Sequence, residues 1–225
     1  MTMKLYFAPG ACSFVPHSLL ESAGAEFEPV MVKLHKGEQN EPAYRAINPR
    51  GQVPVLVDEG ETITQIVAIV QYLDAKFPQQ QWLPRELKPR TRVLETLAWM
   101  NNTVHPTFTH VFMPFKYAQT AAAQAELKVF NAGTYELLLG DIEVMAQQVA
   151  DAGQAFLGGE RFGPLDAYAL TLLRWGGFAQ IDPTGFPRLW AHVQKVAQLP
   201  GVARAIERER LQLNLYKPDS RGTAA

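Results

Sequence analysis

Residues 3–24 read MKLYFAPGACSFVPHSLLESAG, and the order of signals in that stretch decides the fold. Met3, Leu5 and Phe7 alternate with Lys4 and Tyr6, the period of a half-buried strand. Pro9-Gly10 interrupts it. Ser13 then stands as an N-cap with Pro16 in the first turn, and Val15, Leu19, Leu20 and Ala23 carry an apolar helix face as far as Gly24. A second strand follows, with Val30, Val32 and Leu34 on one face. Strand, helix and strand within about 35 residues form a βαβ unit, which predicts two parallel strands joined by a right-handed crossover.

A polar loop separates this unit from Asn48-Pro49-Arg50-Gly51-Gln52-Val53-Pro54-Val55-Leu56-Val57. Asp58-Glu59-Gly60 reads as a turn and Glu61–Thr64 as a return strand, so the pair predicts an antiparallel hairpin. Ile66, Ile69, Val70 and Leu73 recur at helical spacing until Pro78 ends the pattern. Pro, Gln and charge then dominate, and beyond them the chain reads as helices broken near Pro106, Pro114, Gly158-Gly159, Gly176-Gly177, Pro183 and Pro200-Gly201. The expectation is an α/β domain over residues 1–80, a linker over 79–87 and an all-α domain over 88–225.

The 225 residues are 47% apolar and 19% charged with a formal net charge of −1, the composition of a globular protein. Without a basic run, no nucleic acid partner is expected. No stretch approaches the roughly 20 apolar residues of a membrane span, so no membrane partner is expected either. A single cysteine excludes an intramolecular disulfide and suits a reducing, cytoplasmic setting.

Three places carry chemistry. Cys12 lies between the Pro-Gly break and the first helix, where free N–H groups and the helix dipole favour an anion and predict a lowered thiol pKa; inert packing at a strand-to-helix turn is the alternative. Val53-Pro54 opens a strand. A cis bond there turns the Val53 backbone outward as an unpaired donor and acceptor for a peptide-like ligand, whereas an ordinary trans proline on an edge strand does not. Thr64-Gln65-Ile66 begins a helix whose N-terminus suits a carboxylate, or is simply a solvated cap. Cys12 lacks the Cys-x-x-Cys partner of a dithiol reductase, since Val15 occupies that position. The histidines show no metal-ligand spacing with one another or with Cys12, and no metal site is expected.

In this order, Leu5–Ser13 with Pro16-His17, then Asn48–Leu56, then Thr64-Gln65-Ile66-Val67-Ala68-Ile69, resemble bacterial beta-class glutathione transferases. Phe156–Tyr168 resembles the helix-start motif of those proteins, and Leu199-Pro200-Gly201-Val202 the opening of their last long helix. The resemblance implies a thioredoxin-like N-terminal domain with a helical C-terminal domain, glutathione as co-substrate, and a homodimer. It implies Cys12 facing the glutathione sulfur beside Ser13, with His105 close by. It further implies Gln52, Val53 and Pro54 along the cysteinyl backbone, Gln65 and the Ile66 N–H at the γ-glutamyl end, and Lys36 at the glycine carboxylate.

Several residues depart from that pattern. Gln65 stands for an acidic residue, and Ile66 for a small or hydroxyl residue, which removes a hydrogen bond of about 1 kcal/mol. Pro106 in mid-helix predicts a kink and a freed carbonyl about one turn back. Gly163 replaces a hydroxyl N-cap and leaves Asp166 to cap its helix alone. Together these predict weaker glutathione binding than in a typical member. Three functions follow as expectations: conjugation of glutathione to small electrophiles in detoxification, glutathione-dependent disulfide or peroxide reduction through Cys12, or non-catalytic binding of apolar ligands or a protein partner.

Overall fold

The computed structural model describes residues 2–218. The chain opens with strand β1 (Met3–Phe7), helix α1 (Phe14–Ala23) and strand β2 (Phe27–Met31), and β1 and β2 pair in parallel from Met3↔Phe27 to Phe7↔Met31. Gly24 closes α1 in the left-handed conformation that glycine adopts without steric cost. Ser13 stands at the N-cap position as expected, but its side chain bonds none of the first helical N–H groups. Its buried hydroxyl turns back to Ala8, accepting from that N–H at 3.1 Å and donating to that carbonyl at 3.2 Å.

The second strand lies about three residues earlier than its sequence pattern predicts. The five residues of β1 set its register, and Val32 adds one more bond to Phe7. Of the three expected apolar positions only Val32 is buried, while Leu34 begins an exposed 3-10 turn (Leu34–Lys36). The polar loop also contains a short helix, α2 (Pro42–Ile47), with Pro42 in its first turn and Tyr44 buried.

Strands β3 (Val55–Asp58) and β4 (Glu61–Thr64) form the expected hairpin, with positive φ at Glu59 and Gly60. The sheet order is β2-β1-β3-β4, and β1 pairs antiparallel with β3. Helix α3 (Ile66–Lys76) follows, burying Ile66, Ile69, Val70 and Leu73.

From Leu87 onward the described elements are helical: α4 (Leu87–Trp99), α5 (His105–Phe112), α6 (Ala121–Asp151), α7 (Pro164–Gly176), α8 (Pro187–Ala197) and α9 (Pro200–Glu209), with short 3-10 turns. The thioredoxin-like sheet followed by a helical part is the expected fold class. Pro106 does not break the rod. A π-turn over Met100–Val104 joins α4 to α5 and accommodates the ring that cannot donate to the helix ladder. Asp166 caps α7 without help from Gly163: it accepts from Gly163 N–H and Leu157 N–H at 2.8 Å each and lies 2.8 Å from His192 Nε2. No helix among the described residues is long and apolar enough to cross a membrane.

One apolar core runs through both parts. Leu5, Phe7, Phe14, Leu19 and Leu56 belong to the same buried cluster as Leu97, Phe108, Tyr168 and Trp175. The site residues are therefore positioned from two directions, by the sheet and by the helices.

Candidate active site

Sheet topology gathers the predicted residues at one end. Cys12 follows β1 and Lys36 follows β2, which runs parallel to it. Strand β3 runs the other way with Val55 beside Tyr6, so Gln52, Val53 and Pro54 precede it at that same end. Val55 also pairs with Thr64, which puts Gln65 and Ile66 next to Val53-Pro54. Four segments distant in sequence thus lie at one end of the sheet, because β1, β2 and β4 run one way and finish there while β3 runs the other way and starts there.

Cys12 is 9% exposed, and its Sγ lies 3.6 Å from the Val53 carbonyl oxygen, to which the thiol donates. The Val53-Pro54 bond is cis, and among the described residues the Val53 N–H pairs with no backbone carbonyl. The preceding turn is held from below: the Gln52 carbonyl accepts from the Tyr44 hydroxyl and from Asn48 Nδ2, both at 2.8 Å. Gly51 is required there, since its φ is +62° and a Cβ would lie 2.8 Å from the Gln39 carbonyl oxygen.

The helix start does not lower the Cys12 thiol as the sequence predicts. Burial pushes it up to about 12, outweighing the Cys12 and Ser13 N–H groups that point at the sulfur, and nearby Glu209 adds to the rise. In the absence of ligand Cys12 is a protonated donor.

Next to Val53-Pro54, Gln65 begins α3 with φ +72° and ψ 125°, a backbone geometry that disfavours any residue with a side chain. Among the described residues no side chain caps this helix, so its first N–H groups have no side-chain partner. Ile66 is buried and offers only its backbone. Gln65 and Lys36 are exposed, and no described side-chain hydrogen bond ties Lys36 to the groove.

His105 emerges directly after the π-turn. Its Nδ1 lies 2.8 Å from the Tyr168 hydroxyl, and its ring centroid is 4.8 Å from that of Trp175. Burial pushes its pKa down to about 4, so the imidazole is neutral near pH 7. The Tyr168 hydroxyl bonds His105, and burial raises its own pKa. Trp175 in turn stacks on Phe108 at 4.6 Å, and Phe108 on half-exposed Phe112 at 5.5 Å, so an aromatic column runs from His105 to the surface.

Tyr168 and Glu209 had no role in the sequence reading, and Trp175 read as a core aromatic. Tyr168 stands in the helix-start motif, the one signal that could have found it; the other two approach Cys12 only through contacts from the far end of the chain.

The structure joins a thioredoxin-like sheet, with Cys12 and the open Val53 edge at one end, to a mostly helical C-terminal part that brings aromatic side chains against it. The family model described as "Glutathione S-transferase, N-terminal domain" matches residues 1–75. Glutathione S-transferase GstA of Escherichia coli O157:H7 is 34% identical over 216 residues, 93% of this chain and all of the relative. Among solved structures, a bacterial beta-class glutathione S-transferase of Sphingomonas chungbukensis superposes with a TM-score of 0.79 at 30% identity, over 93% of this chain and all of that one. A sphingomonad glutathione S-transferase complexed with glutathione gives a TM-score of 0.77 at 32% identity, with the same coverage. The chain belongs to the glutathione S-transferase family.

Proposed function

We propose that the protein binds glutathione against Val53 and conjugates its sulfur to small electrophiles, with Cys12 as a thiol donor and His105 as the proton acceptor. The observation that carries this reading is the 3.6 Å approach of Cys12 Sγ to the Val53 carbonyl, beside a Val53 N–H free of backbone partners. A tripeptide laid along that edge donates its cysteinyl N–H to the carbonyl and accepts from the N–H, as an added strand does. Its sulfur then meets the Cys12 S–H, which the ligand has displaced from Val53. The start of α3 with Gln65 and Ile66 suits the γ-glutamyl carboxylate, and Lys36, on its exposed turn, suits the glycine carboxylate.

Tyr168 has one hydroxyl proton and two neighbours, His105 Nδ1 at 2.8 Å and Asn101 Oδ1 at 3.3 Å. Donated to Asn101, that proton makes the Tyr168 oxygen an acceptor for Nδ1–H and leaves Nε2 basic. Nε2 takes the glutathione thiol proton, and the thiolate, held by the Cys12 S–H, forms the sulfur–carbon bond as the leaving group departs with its electron pair. The aromatic column past Phe108 suits the electrophile.

A second reading draws on the Cys12 and Ser13 N–H groups that point at the sulfur. They favour the Cys12 thiolate, which attacks one sulfur of oxidised glutathione and releases the other half as a thiolate, leaving a mixed disulfide. The division into a glutathione-binding domain over 1–80 and an all-helical domain over 88–225, the homodimer and the cytoplasmic setting belong to this proposal as well.

Calorimetric titration with glutathione tests the core of the reading: saturable binding supports it, and no heat at millimolar ligand leaves only a non-catalytic role. Cys12→Ala separates the two chemistries. Conjugation is expected to persist at a rate reduced by about tenfold, one lost hydrogen bond to a charged sulfur, while the adduct formed with oxidised glutathione disappears from the mass spectrum.

A further inference from the structure

A cavity that shares no residue with the candidate active site lies where the end of α1, the linker after α3, the loop between α6 and α7 and the start of α9 come together. It measures about 460 Å³, the size of a small-molecule site. Its apolar walls are Trp82, Phe156, Phe162 and Leu199, with the Phe156 and Phe162 rings edge to face at 6.4 Å.

The polar groups around this cavity are left without partners. Trp82 is 4% exposed, yet its indole N–H donates to nothing among the described residues, whereas the Trp175 indole is paired at 2.8 Å. A buried donor in that state is costly unless something arrives to accept from it. The first turn of α9 borders the same space. Among the described residues no side chain caps α9, and the Gly201 and Val202 N–H groups meet no backbone carbonyl although both residues are buried. Ser22 of α1 packs against Gly201 so closely that a Cβ there would lie 2.5 Å from Ser22 Oγ, and that Oγ is itself buried with no partner.

The charges agree in sign. Arg161 and Arg204 stand on the wall, and Glu160 is the one acidic side chain there among the described residues. Arg204 and Arg208 share the single carboxylate of Glu21 at 3.0 and 2.8 Å, so three guanidinium groups stand against two carboxylates. An indole N–H, a hydroxyl, two helix-start N–H groups and guanidinium N–H groups are all donors. Aromatic walls with such a set of donors suit a flat ring system that carries one acceptor of negative charge.

We propose that this cavity binds a small aromatic carboxylate, with its ring between Trp82, Phe156 and Phe162 and its carboxylate at the start of α9 beside Arg161 and Arg204. One negative charge matches the one guanidinium left over, and the guanidinium fork fits the two carboxylate oxygens. The ligand would bridge α1 and the linker to the helical part, and it involves neither Cys12 nor Val53.

The test uses the full chain without glutathione, so its result is independent of the glutathione titration. Calorimetry with 1-naphthoate is expected to show one saturable site, and the uncharged 1-naphthylmethanol to bind at least about tenfold more weakly, for want of charge-assisted hydrogen bonds. Trp82→Phe keeps the ring and removes the N–H, and is expected to weaken 1-naphthoate about tenfold, the worth of one buried donor to a charged acceptor. Arg161→Gln, on an exposed loop, is expected to weaken it about threefold, as for one exposed charge pair. No saturable binding at millimolar 1-naphthoate, equal binding of 1-naphthylmethanol, or wild-type affinity in either variant overturns the proposal. So does a loss of binding in Phe112→Ala with none in Arg161→Gln, which puts the compound on the aromatic column beside His105. Should Trp82→Phe fail to fold, Arg161→Gln carries the decision.

Discussion

The two ends of the candidate site are built on opposite principles. Around Cys12 the groups are buried, and distant segments hold them: Glu209 and Trp175 on Gly10, Tyr168 on His105. Around Gln65 and Lys36 they are exposed and local, a strained backbone, an uncapped helix start and a flexible cation. The sulfur end therefore has its reactivity set by desolvation and by fixed charges in a poorly screened interior. At the exposed end water competes for every donor, so contacts there add little to stability.

Glu209→Ala probes the sulfur end most severely. It strands the Gly10 N–H and His17 inside the protein, and urea denaturation is expected to show a loss of about 3–5 kcal/mol. A loss below about 1 kcal/mol would place Glu209 in the same class as the exposed end.

The next effect is set by pH. The folded pKa of His105 is depressed to about 4 from an ordinary value near 6.5. Between those values the unfolded chain binds the proton and the folded chain does not, so the stability tied to neutral His105 is present above pH 6.5 and lost as pH falls towards 4. The loss is up to about 3 kcal/mol. Urea curves for the wild type and His105→Asn are expected to diverge over that window, the wild type weakening faster; parallel curves would show that His105 is not desolvated.

Gln65→Gly acts at the solvated end with the smallest effect and the opposite sign. Glycine removes the strain at φ +72°, so thermal unfolding is expected to show a gain of about 1 kcal/mol, while calorimetry shows weaker glutathione binding. Lower stability, or unchanged affinity, would mean that Gln65 is strained for another reason.

Legibility from sequence follows the same division. The exposed end is built from short-range signals, namely Val53-Pro54 ahead of a strand, Gln65 at a helix start and the hairpin turn at Glu59-Gly60, and each can be read within a few residues. Gly24 and Pro78 likewise mark where α1 and α3 end. Misreadings arose where tertiary contacts override local pattern. The alternation over Val30, Val32 and Leu34 describes one face, but pairing with the five-residue β1 decides where β2 stops. Ser13 has the chemistry of an N-cap and spends it on Ala8.

The Cys12 thiol shows why the sulfur end was hard to read. Its position before α1 predicts stabilisation of an anion, yet burial against the helical part reverses the sign. Glu209 is 199 residues from Gly10, beyond the reach of any periodic signal. Trp175 looks like one core aromatic among several.

The most direct test of the account is a crystal structure of the chain grown with glutathione. The cysteinyl backbone of the tripeptide should pair with both the N–H and the carbonyl of Val53, and its sulfur should lie within about 4 Å of Cys12 Sγ, the reach of a thiol hydrogen bond. A tripeptide bound elsewhere, or a Cys12 thiol still donating to Val53 with the ligand present, would contradict it.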